Sequence, residues 1–111
     1  MNKPPLFERT RRWLRKEYPL GYPVTIRKVE DGRIPKMWGC FEFDPEPLRG
    51  LILIRASLSQ AHASETLIEE WAHALRETLK IPVPYDGEPH DSHFWLIYGE
   101  IVTKWRDRFA V

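Results

Sequence analysis

Residues 51–79 read LILIRASLSQAHASETLIEEWAHALRETL, and a change of rhythm inside this stretch decides the fold class. Leu51-Ile52-Leu53-Ile54-Arg55 is apolar at successive positions, which suits a short strand covered on both faces and therefore central. Beyond Ser59 or Ser64 the apolar period lengthens to about 3.6 residues. Ile68, Trp71, Leu75 and Leu79 then form an i, i+3, i+4 stripe. That stripe predicts a helix, over about 60–79, packed against a sheet.

Upstream of this stretch, Val24-Thr25-Ile26-Arg27-Lys28-Val29 reads as a first strand and Asp31-Gly32 as a turn. Met37 to Phe43 alternates well enough for a second strand, broken by Asp44-Pro45-Glu46-Pro47, so the sheet spans about 22–56. Further back, Pro4 and Pro5 suit a helix start, and a basic helix is expected over about 5–18, ended by Pro19, Gly21 and Pro23. Downstream, Ile81 to Pro89 holds three prolines and a glycine and reads as loop. Asp91 or Ser92 can cap a last helix over about 92–108, whose stripe is Phe94, Ile97, Ile101 and Trp105. The order is α-β-β-β-α-α. It predicts a single small α+β domain with three strands packed against the helix after them.

Composition narrows the function classes. The chain has 111 residues, 42% apolar and 30% charged, which suits one globular domain and not a disordered tail. Seventeen Lys plus Arg against sixteen Asp plus Glu leave a formal charge of +1, so a generic polyelectrolyte partner is not expected. The lone Cys40 allows neither an intrachain disulfide nor a zinc ribbon and fits a reducing compartment; on a strand it reads as a small buried residue. No apolar run reaches the roughly 18 residues of a membrane span, and the N-terminus lacks a signal-peptide core. A cytoplasmic protein without membrane contact is expected.

The residues that could carry chemistry are Glu69, Glu70 and His73 on the helix and His90 and His93 before the last helix. Helical positions four apart lie within about 40° of each other, so Glu69 and His73 project side by side, with Glu70 about 100° round from Glu69. The core stripe through Trp71 and Leu75 points the other way, leaving this face free. A catalytic zinc takes three protein donors plus water, and His₂Glu is an established set. The proline-rich segment can return His90 or His93 over the helix, and Glu70 stands where it can take a proton from a bound water. Taken singly, a Glu-Glu pair is ordinarily a solvated face and a helical His an ordinary polar residue. A di-iron bundle, which shares the Glu-x-x-His spacing of Glu70 and His73, needs a second such motif that the chain lacks.

The stretch Thr66-Leu67-Ile68-Glu69-Glu70-Trp71-Ala72-His73-Ala74-Leu75 resembles the active-site helix of SprT-like zincin metallopeptidases, especially short phage and prophage members, whose motif is H-E-x-x-H. His90-Asp91-Ser92-His93-Phe94-Trp95, continued by Tyr98-Gly99-Glu100-Ile101, is similar to the family's downstream His and last helix. Gly39-Cys40-Phe41-Glu42-Phe43 and Leu51-Ile52-Leu53-Ile54 look like its strand pair, so the resemblance covers roughly residues 20–108.

The resemblance implies a zincin-like domain that binds zinc and hydrolyses peptide or protein substrates, with Glu70 as general base. Glu69, standing where the family has its first His, His73 and His90 would be the donors. His93 is the alternative or additional ligand, because it stands where the family usually has Glu. Tyr85 and Tyr98 are candidates to stabilise the oxyanion. Replacing a neutral imidazole by the Glu69 carboxylate should weaken the metal's Lewis acidity and slow hydrolysis. A catalytically weak or inactive module of the same shape, binding protein or nucleic acid, is the alternative. Its nucleic-acid form would use Arg9, Arg11, Arg12, Arg15 and Lys16, with Trp13 beside them. A third possibility is a structural or partner-binding protein whose metal only pins a loop. His62, at the helix start, is expected to cap or face solvent, and Trp71, Trp95 and Trp105 to lie in the core.

Overall fold

The computed structural model describes residues 3–81 and 89–111. Its elements are α1 (Leu6–Glu17), β1 (Val24–Val29), a 3₁₀ turn (Asp31–Arg33), β2 (Gly39–Pro45), β3 (Leu48–Arg55), α2 (Gln60–Thr78) and α3 (Ser92–Phe109). This is an α+β domain of three helices and one mixed three-stranded sheet. Tyr85 and most of the proline-rich loop expected over Ile81 to Pro89 lie outside the described residues.

The sheet order is β1-β3-β2. β3 is central, as its unbroken apolar run requires, and Ile52 and Ile54 on it are fully buried. β1 runs parallel to β3 with Ile26 opposite Ile52, and β2 runs antiparallel with Phe41 opposite Ile52. β2 continues through Asp44 and Pro45, two residues past the break the sequence suggests. Pro45 is tolerated because β2 is an edge strand, where a missing N–H costs no sheet bond. The turn follows at Glu46, whose N–H donates to Asp44 Oδ1 at 3.0 Å.

All three helices share the core. Leu14 of α1, Leu67, Ile68 and Trp71 of α2, and Ile101 and Trp105 of α3 meet Ile52 and Ile54 there. Two indole N–H groups tie α2 and α3 to α1 and its C-terminal cap. Trp71 Nε1 donates to the Tyr18 carbonyl at 3.0 Å, and Trp105 Nε1 to Thr10 Oγ1 at 2.9 Å. Ser59 caps α2 by accepting from the His62 N–H, and Asp91 caps α3 by accepting from the Phe94 N–H.

Two positions expected in the core are at the surface. Trp95 is 53% exposed and Leu79 43%; Leu79 falls just past Thr78, the last residue of α2. The arginines of α1 are engaged with the fold. Arg11 and Arg12 pair with Glu8, Arg9 Nε donates to the Pro4 carbonyl, and Arg15 Nη2 donates to the Val24 carbonyl. Among the described residues, no helix is long and apolar enough to cross a membrane.

Candidate functional site

A glycine brings the sheet edge onto α2. A side chain at Gly39 would place its Cβ 2.7 Å from Thr66 Cγ2 and 2.9 Å from the Leu53 carbonyl oxygen, closer than any real contact. With nothing there, β2 lies against the first half of α2. One turn further along, Glu69 and Glu70 border a cleft of about 600 Å³. Its walls are Met37 to Phe41 on the sheet side, Glu69, Glu70, His73 and Arg76 on α2, and Pro89 to Asp91 leading into α3.

His90 returns over α2 as the spacing allows. Its Nε2 stands 3.0 Å from His73 Nε2 and 3.6 Å from Glu69 Oε1. The fully buried Phe94 ring supports both imidazoles, with centroids 4.3 Å from His73 and 4.6 Å from His90. Trp95 closes the outer side, 5.4 Å from His90. Burial, reinforced by the neighbouring His90, lowers the His73 pKa to about 4, so its ring is neutral and its lone pair available at neutral pH.

Glu70 does not lie on a free face. It is only 6% exposed, although it lines the cleft. Burial first, and the Glu69 charge second, push its pKa up to about 8. Its carboxyl therefore holds a proton at neutral pH while no cation is near.

These donors suit a borderline cation such as zinc in type: two imidazole nitrogens and one carboxylate. Two ligands of one tetrahedral zinc ion stand roughly 3.3 Å apart, and the separations of 3.0 and 3.6 Å bracket that value. The contacts form a chain, Glu69 to His90 to His73, and no ion pair joins Glu69 directly to His73. Among the described residues, no group of three or more His, Cys, Asp or Glu is placed to hold a metal ion.

The remaining sequence candidates lie apart from this centre. His93 Nδ1 faces Asp91 Oδ2 at 3.7 Å, and His93 does not line the cleft. Tyr98 stacks on Phe94 with its centroid 5.9 Å away; burial, with the Glu65 and Glu69 charges, raises its pKa. His62 is exposed and packs its ring edge-on to Trp38. Cys40 lines the cleft half-buried, and burial with nearby Glu42 and Glu70 raises its thiol pKa, which keeps it protonated.

One residue that the sequence reading passed over is central. Arg76 lies three positions after His73, on the same helix face, and is 8% exposed. Its Nε donates to both Asp91 carboxylate oxygens at 3.1 and 3.0 Å, and its Nη2 to Oδ2 at 2.6 Å. Its Nη1 donates to the Ile81 carbonyl at 2.9 Å. The guanidinium holds the Asp91 pKa far below the ordinary carboxylate range. The i+3 spacing from His73 and an acid directly after His90 were the available signals.

Comparison with protein-family models, curated proteins and solved structures gave no match of any of the three kinds.

Proposed function

We propose that the chain is a minimal zincin-like metallopeptidase of SprT-like type, with Glu69, His73 and His90 as zinc donors and Glu70 as general base. The observation that carries this is the convergence of two imidazoles and a carboxylate in one cleft, with a second, buried carboxyl beside them. The resemblance of the α2 and pre-α3 segments supplies the chemistry, and the packing of α2 on a three-stranded sheet agrees with it.

Zinc bound there supplies Lewis acidity, polarising a peptide carbonyl and acidifying a water. The chain's own groups do the rest. Glu70 would act as the base in its ionised form, and a cation held by Glu69 would favour that form by offsetting the Glu69 charge, the lesser of the two causes that raise the Glu70 pKa. Its basicity near neutrality also suits the return of that proton to the leaving amine. Phe94 packs against both imidazoles on their inner side, and burial keeps His73 neutral. The substrate is a peptide or protein segment lying in the cleft that Trp38 and His90 border.

The test is cleavage of a denatured protein by the zinc-loaded chain, beside Glu70→Gln. Glu70→Gln should keep its zinc and lose activity by at least about 10²-fold. A wild-type chain that binds zinc and cleaves nothing would leave the catalytically inactive binding module as the better reading. For such a module a protein partner is favoured over nucleic acid, because Arg9, Arg11, Arg12 and Arg15 already hold bonds to Pro4, within α1 and to β1.

A further inference from the structure

We propose that Arg76 and Asp91 form a latch that sets His90 over His73. Glu69, His73 and Arg76 lie at i, i+4 and i+7 of α2, so one helix face offers two donors and the cation that holds the third. The guanidinium reaches both ends of the connection between α2 and α3. Nη1 binds the Ile81 carbonyl at 2.9 Å, and Nε with Nη2 forks onto the Asp91 carboxylate. Asp91 in turn accepts from the Phe94 N–H at 2.9 Å, so the same carboxylate caps α3 and fixes the ring beneath both imidazoles. His90 is the residue immediately before Asp91. It has little freedom once Asp91 is held from three directions.

Both latch side chains are 9% exposed, and a buried bidentate pair has the geometric strictness that positioning needs. Lysine cannot reproduce it, since an ammonium offers no planar fork. Arg76 and Asp91 are thus positioning residues for the donor set. Their service to a metal rests on the function proposed above, whereas their hold on His90 does not.

The test uses the full chain carrying Arg76→Met or Asp91→Asn, with the fold checked by circular dichroism and thermal melting. Competition with a chromophoric chelator reads zinc affinity, which should fall about 10–100-fold in each folded variant. In the metal-free protein, nuclear Overhauser contacts between the ring protons of His73 and His90 should be present in wild type and lost in both. Should Arg76→Met fail to fold, Arg76→Lys and Asp91→Asn carry the test. Ring contacts and affinity that persist unchanged in a folded variant overturn the latch. A wild type that takes up no zinc, with ring contacts still lost on substitution, removes the metal centre and leaves the latch standing.

Discussion

Glu70 and His73 carry opposite pH signatures that are measurable without any metal. The Glu70 pKa rises on folding, from 4.5 to about 8, so its favourable contribution is complete below pH 4.5 and is lost as pH climbs towards 8. The His73 pKa falls from 6.5 to about 4, so its contribution is complete above pH 6.5 and is lost as pH drops towards 4. Glu70→Gln should therefore stabilise the metal-free protein at pH 8 by on the order of a few kcal/mol. At pH 4 it should change little. Urea melts at the two pH values check this, and equal effects at both would show that Glu70 is not burdened by burial. Glu69 gives a second residue-scale prediction. Glu69→His replaces an anionic donor by a neutral one, so zinc-dependent turnover should rise, with zinc retained; turnover that stays level or falls counts against Glu69 as a donor.

At the scale of elements, the contact between β2 and α2 decides whether there is a cleft at all. Gly39→Val would drive a branched side chain into Thr66 and the Leu53 carbonyl. Overpacking of this kind costs about 1–3 kcal/mol, so denaturant titration should show a loss of that size. Displacing β2 should also expose Glu70 and return its titration towards 4.5. Much of this level was legible in the sequence. β1 lies at Val24–Val29, β3 is central, and Ser59 and Asp91 cap their helices, because apolar rhythm and cap chemistry are local properties. The burial of Glu70 was not legible. A helical wheel places it about 100° round from Glu69, but whether it is buried depends on how the rest of the chain packs on α2. Trp95 was misplaced for the same reason. Its spacing fits a stripe, and only the course of α3 across α2 turns it outward.

For the whole molecule, the three helices and the sheet hold two segments distant in sequence against each other: the middle of α2 and the start of α3. That His90 returns to stand beside His73 and Glu69 was readable from residue types and from the resemblance. The Arg76–Asp91 contact needed the fold, because a surface Arg and a capping Asp are each unremarkable alone. The central claim is that these segments meet to hold a metal ion. Elemental mass spectrometry on the tag-free chain, with His73→Ala and His90→Ala beside it, tests that claim most directly. A metal held between them gives about one zinc per chain in wild type and a loss in both variants, each still folded by circular dichroism. No zinc in wild type after zinc is added back, or full occupancy in both variants, would contradict it.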